Sequence, residues 1–144
     1  MKAALDRLGN VIICSYSSKN QNIPFFNKVC GAITIGEARY GGQEFTLNSL
    51  NNSCLIMNGI VVTGNTGEGN YIGTASWLNA TGEEYKNKEE KLRSKRRVLG
   101  DEIAIDSAKK LGKRVAEIAK IIKAGVSVLS QELPREYSYK QKES

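Results

Sequence analysis

Short apolar runs separated by turn-forming residues mark the first 82 residues of the chain. The runs occupy residues 11–14, 29–35, 54–57 and 59–62, and Asn and Gly recur between them. Runs of this kind, rich in β-branched residues, are typical of short strands joined by tight turns. Gly41-Gly42 and Asn58-Gly59 have the composition of two-residue hairpin loops, because both residue types tolerate a positive φ. The pattern predicts a small antiparallel sheet or barrel.

After residue 82 the apolar spacing changes from that of strands to that of helices. Apolar residues recur at intervals of three and four at Ala104, Ala108, Leu111, Val115, Ile118 and Ile122. This spacing predicts one apolar face of an amphipathic α-helix. Asp101 and Glu102 suit the N-terminus of such a helix, and Gly125 suits its end. A first helix is predicted over residues 83–98, before Gly100.

The two halves together predict an α+β protein that forms one domain. A β-rich region covers residues 1–82, a region of one or two basic amphipathic helices covers residues 83–130 and packs on it, and residues 131–144 form a polar tail. Residues 51–66 resemble the rungs of β-solenoids of the bactofilin kind. A regular repeat is missing, however, so a small sheet or barrel is favoured over a solenoid.

The composition removes several kinds of chemistry. The 144 residues include no histidine, which excludes histidine-dependent acid–base catalysis and histidine metal sites. Three cysteines lie at positions 14, 30 and 54 without a Cys-x-x-Cys pair, so no metal knuckle or disulfide framework is predicted. We therefore predict a non-enzymatic protein.

Glycines at positions 64, 67, 69 and 73 follow the apolar run at residues 59–62. A strand followed by a glycine-rich loop is the expected setting of a phosphate-binding turn. Residues 60–82 resemble the glycine turn of the extended short-chain dehydrogenases, but the glycine spacing differs and their Tyr-x-x-x-Lys pair is missing. No cofactor site is predicted, and the loop is interpreted as a turn between two strands.

Positive charge concentrates in the helical half. Sixteen of the 21 Lys and Arg residues follow residue 80, and the net charge is +6. The candidate binding surface comprises Lys91, Arg93, Lys95, Arg96, Arg97, Lys109, Lys110, Lys113 and Arg114. Basic helices of this kind bind acidic proteins, nucleic-acid phosphates or anionic membrane surfaces, although interspersed Glu residues also make such a face ordinary solvent-exposed surface.

The apolar helical face has two interpretations. Its members Ala108, Leu111, Val115, Ile118 and Ile122 either pack on the β-rich half or form a seam for self-association. We expect a protein-interaction or assembly module, with nucleic-acid binding through residues 91–97 as the alternative. No signal peptide or membrane span is recognised, which favours a cytoplasmic location.

Overall fold

The computed structural model describes residues 2–17, 26–36, 41–64, 71–77, 101–134 and 137. The elements are α1 (Lys2–Ser17), β1 (Val29–Cys30), β2 (Ile33–Gly36), α2 (Gln43–Ile56), β3 (Ile60–Val61), β4 (Thr74–Trp77) and α3 (Glu102–Val128). The strands lie in the N-terminal half and a 27-residue helix lies in the C-terminal half. The α+β arrangement predicted from the sequence is thus confirmed. The helix predicted over residues 83–98 lies outside the described residues.

The strand pairs are parallel, so the prediction of an antiparallel sheet is wrong. Val29 pairs with Ile60 in the β1–β3 ladder, and Ile33 pairs with Thr74 in the β2–β4 ladder. Both predicted hairpin turns contain a residue of positive φ, Gly42 at 80° and Asn58 at 59°. The two residues lie at opposite ends of α2, so each turn joins a strand to a helix. A helix between strands permits parallel pairing, which a two-residue loop cannot reach.

β3 and β4 lie end to end along one edge of residues 28–36. The carbonyl oxygens of Lys28, Cys30 and Ala32 accept hydrogen bonds from the amides of Ile60, Val62 and Thr74, at 2.8, 2.9 and 3.0 Å. Carbonyls two residues apart in a strand point to the same edge. β3 and β4 therefore follow one another along the same edge, and they do not pair with each other as the two strands of a hairpin.

Two apolar runs predicted as strands form parts of helices. Residues 11–14 lie in α1, and residues 54–56 lie in α2. A four-residue apolar run fits a strand and one turn of a helix equally well, so only its longer context decides. The end of α2 is defined locally: the amide of Gly59 donates to the Cys54 carbonyl, and that of Asn58 to Leu55, each at 2.9 Å. These two bonds form a Schellman motif with Asn58 as its left-handed residue.

α2 and α3 cover opposite faces of the strands. The Cys30 thiol lies next to Cys54 of α2, whereas a Cβ on Gly31 would lie 3.0 Å from Val115 and 3.3 Å from Leu111 of α3. Successive residues of a strand face opposite sides, so these contacts place the two helices on either side of the strands. The buried apolar side chains lie between these layers at Ala32, Leu47, Met57, Ala104 and Leu111.

α3 begins where the sequence indicates and ends later. The side chain of Asp101 caps it by accepting the Ala104 amide at 3.1 Å. Gly125 does not end the helix, which continues to Val128 and closes with the Leu129 amide on the Gly125 carbonyl. Among the described residues no helix is long and apolar enough to cross a membrane.

Candidate functional site

A cleft opens where β2 and β4 end and α2 begins. It has a volume of about 450 Å³ and is lined by Gly42, Gln43, Glu44, Phe45, Ala75, Ser76 and Trp77. The carboxyl ends of parallel strands and the N-terminus of the following helix meet at this point, which is where open α/β sheets commonly bind ligands. The volume lies within the usual range for a small-molecule site, roughly 300–1,000 Å³.

The first turn of α2 supplies backbone donors to the cleft. The helical hydrogen bonds begin with the Thr46 amide, which donates to the Gly42 carbonyl at 3.0 Å. The amides of Glu44 and Phe45 precede that bond and point along the helix axis, where the helix dipole is positive. The carboxylate of Glu44 lies in the same turn and offsets part of this positive potential. The helix end therefore suits a polar or partly anionic group better than a fully charged one.

Close packing fixes the position of α2 against β2. A Cβ on Gly36 would overlap the side-chain amide of Gln43, which is buried. Glycine at position 36 therefore lets the first turn of α2 approach the end of the strand. The ring of Phe45, two residues further on, is 82% exposed at the rim of the cleft. An apolar ring is thus available to contact a ligand.

Asp101 holds the opposite wall of the cleft. Its Oδ2 accepts a hydrogen bond from the Ser76 hydroxyl at 3.1 Å and another from the Trp77 amide at 3.0 Å. Its Oδ1 caps α3 at the Ala104 amide. One carboxylate therefore joins the end of β4 to the start of α3. Thr74, two residues earlier on β4, is tied to the same helix by a 3.1 Å hydrogen bond between its hydroxyl and that of Ser107.

The predicted basic surface is only partly described. Residues 91–97, which include Lys91, Arg93, Lys95, Arg96 and Arg97, lie outside the described residues. Lys109, Lys110, Lys113 and Arg114 lie on the exposed side of α3. Lys110 pairs with Asp106 at 2.8 Å, and Lys113 with Glu117 at 3.8 Å. Both are exposed pairs between successive helical turns, which contribute little to stability.

The predicted apolar seam faces the strands for part of its length. Leu111 is 1% exposed, and both Leu111 and Val115 lie against Gly31. Ala108, Ile118 and Ile122 are half-buried. Self-association through this seam stays a prediction.

The three cysteines do not form one cluster. Cys14 lies exposed on α1, and Cys30 and Cys54 are half-buried between β1 and α2. Burial, together with the neighbouring Cys54 thiol, raises the pKa of Cys30 to about 11. No group of three or more His, Cys, Asp or Glu side chains that could hold a metal ion occurs in the part of the chain that the structure describes.

The strand–glycine–helix arrangement lies in a different part of the chain from the glycine-rich loop that follows β3. Residues 65–70 of the glycine-rich loop lie outside the described residues, and the flanking residues join β3 to β4. The described strand–glycine–helix arrangement starts from β2 and passes through Gly42 into α2. The signal was present as Gly41-Gly42 followed by Gln43 and Glu44. It was missed because residues 43–56 have a weak amphipathic pattern, so no helix was predicted there.

One known protein with a similar sequence gives these features a context. The chain is 37% identical over 97 residues to an iron-sulfur flavoprotein of Methanocaldococcus jannaschii. The matched region covers 67% of this chain and 42% of that protein, so the chain spans less than half of the relative's length. No family model and no solved structure matches the chain.

This similarity corrects the functional expectation from the sequence. A non-enzymatic interaction or assembly module, with nucleic-acid binding as the alternative, was predicted, and the similarity to a flavoprotein contradicts both. The expectation that the protein is not an enzyme is contradicted by the same finding. Its main basis was the lack of histidine, but redox chemistry carried by a bound cofactor needs no histidine from the protein.

Proposed function

We propose that this chain forms part of the flavin-binding domain of a redox protein, with the flavin ring in the cleft between α2 and β4. The observation that carries the proposal is the position of the cleft, at the carboxyl ends of paired parallel strands and the N-terminus of a helix. The similarity to an iron-sulfur flavoprotein supports flavin as the ligand class. A bound flavin would supply the electron transfer.

The cleft residues fit a flavin ring in shape and polarity. Phe45 and Trp77 provide aromatic surface from opposite walls, as a flat heteroaromatic ligand requires. The backbone amides at the start of α2 provide donors for the ring's carbonyl and nitrogen acceptors. Gly42 and Ala75, which have little or no side chain, leave room for the ring edge.

An iron–sulfur cluster does not fit the residues of this chain. Such clusters take four protein ligands, usually all cysteine. The chain has three cysteines and no histidine, and Cys14 lies apart from Cys30 and Cys54 in exposure and in the fold. The raised pKa of Cys30 also disfavours the thiolate that a metal requires. The proposal therefore extends to flavin and stops short of a cluster held by this chain.

A cytoplasmic location is part of the proposal. The three cysteines are free thiols, which is the usual state in a reducing compartment.

Flavin binding to the purified full chain tests the proposal. We would titrate FMN and riboflavin separately and follow quenching of flavin fluorescence and the change in the visible spectrum. Saturable binding of at least one of them is expected. Phe45→Ala should weaken it about two- to twelvefold, because an aromatic contact contributes roughly 0.5–1.5 kcal/mol. Comparing the two ligands shows whether the phosphate contributes.

Tyr71→Ala is the matched control. Tyr71 is also an exposed aromatic residue, with 56% of its surface accessible, but it does not line the cleft. Its removal should leave flavin affinity unchanged. The proposal fails if neither flavin binds to the folded chain, or if Tyr71→Ala and Phe45→Ala weaken binding equally.

A further inference from the structure

One edge of the strand formed by residues 28–36 is open in the described structure. The carbonyls of Lys28, Cys30 and Ala32 all bond toward β3 and β4. Backbone groups of alternate residues point to opposite edges, so those of Val29, Gly31, Ile33 and Ile35 point away from these strands. No described strand pairs with that edge, since the two ladders are β1–β3 and β2–β4.

The same strand exposes two isoleucines on the α3 side. Ile33 pairs with Thr74 and Ile35 with Ser76, so their side chains share the face on which Ser107 and Asp101 bond to β4. α3 covers Thr74 and Ser76, which are 2% and 4% exposed. Ile33 and Ile35 remain 52% and 53% exposed beside them. The covered face therefore stops at β4 and leaves β2 bare.

Parallel sheets occur almost only with both faces covered and with further strands alongside. A two-stranded parallel ladder with an open edge and an exposed β-branched face departs from this rule, and such an edge readily pairs with another strand. We propose that the edge at residues 29–35 binds a parallel β-strand whose adjoining helix covers Ile33 and Ile35. This interface is independent of flavin binding.

The occupant that fits is a strand–helix unit of the kind that fills the rest of a longer flavoprotein. The matched relative extends well beyond the matched region, since the match covers 42% of its length. A second copy of this chain fits less well. Two copies related by a twofold axis would pair these edges antiparallel, against the parallel direction of both existing ladders. They would also bring two basic molecules together, each with a net charge of +6.

Backbone hydrogen exchange and complementation test the proposal without flavin. The full chain would be mixed with the longest segment of the Methanocaldococcus jannaschii flavoprotein that lies outside the matched 97 residues. In the chain alone, the amides of Gly31, Ile33 and Ile35 should exchange without protection. With the segment, light scattering should report a 1:1 complex. Hydrogen exchange at these three amides should then be about 100-fold slower than in the chain alone.

Paired variants make the result specific. Ile33→Lys with Ile35→Lys should weaken the complex roughly tenfold or more, because the partner would bury two charges. Leu55→Lys with Ile56→Lys, at positions 54% and 64% exposed on α2 across the sheet, should leave it unchanged. The proposal is overturned if the three amides are already protected in the chain alone, if the segment gives no complex, or if the chain forms only homodimers. Equal weakening by the two variant pairs would overturn it as well.

Discussion

Replacing Asp101 with alanine removes three hydrogen-bond acceptor contacts at once. The carboxylate accepts hydrogen bonds from the Ala104 amide at 3.1 Å, the Ser76 hydroxyl at 3.1 Å and the Trp77 amide at 3.0 Å. Loss of a helix N-cap costs about 1 kcal/mol. Each of the other two bonds contributes about 1 kcal/mol net. We therefore expect Asp101→Ala to lower the free energy of unfolding by about 3 kcal/mol.

Urea unfolding followed by far-ultraviolet circular dichroism measures this loss. Asp101→Asn keeps one acceptor oxygen and should cost about half as much, since an amide cannot cap α3 and hold β4 together. Glu102→Ala is the matched control, because it removes an acidic group from the same helical turn. It should cost only about 0.5 kcal/mol, the typical contribution of a charge near a helix dipole.

A double-mutant cycle separates the link between β4 and α3 from the cap. Ser76→Ala combined with Asp101→Ala should show a coupling of about 1 kcal/mol, because the two side chains share one bond. The reasoning is refuted if Asp101→Ala costs no more than Glu102→Ala, or if the two substitutions at positions 76 and 101 are additive.

Two further predictions concern glycine positions and a thiol. Gly73→Ala should destabilise the fold by about 2–3 kcal/mol, because Gly73 has φ 130° and a Cβ would meet the Ala32 carbonyl oxygen. Gly112 has open space around it, so Gly112→Ala should stabilise α3 by up to about 1 kcal/mol. Thermal unfolding measures both, and equal effects would contradict this assignment. The folded state favours the neutral Cys30 thiol, whose pKa is raised from 9.0 to about 11. The contribution of this neutral thiol to the stability of the folded state is fully present below pH 9 and is lost as the pH rises through about 11. The wild type should lose stability faster than Cys30→Ala over this range, and parallel curves would count against the raised pKa.

Helix α3 was predictable because its apolar pattern is long and local. The apolar residues from Ala104 to Ile122 recur over five turns, and Asp101 is a strong N-cap signal. The β-branched runs at 29–35 and 59–62 likewise indicated strands, which the structure contains. Gly42 and Asn58 were correctly expected to favour positive φ. Each of these features is decided within a few residues along the chain.

The candidate site was not predictable in the same way. Gly42 and Phe45 become parts of one cleft only because β2 and β4 pair in parallel, which brings Ser76 and Trp77 beside them. These segments are about 30 residues apart in the sequence. The turn composition at Gly41-Gly42 was equally consistent with a hairpin. An antiparallel hairpin at that turn gives no reason to expect residues 42–45 beside residues 75–77.

Local sequence is enough to specify where the backbone conformation changes: the start of α3 at Asp101, the left-handed residues Gly42 and Asn58, and the β-branched strands. These depend on short-range sterics and hydrogen bonding, which act between near neighbours. The direction of strand pairing, the faces covered by α2 and α3, and the cleft at the strand ends become visible only in the folded chain. Those features depend on which distant segments bury one another. The hydrophobic effect is non-directional, so it does not specify from the local sequence which strands pair or in which direction they run.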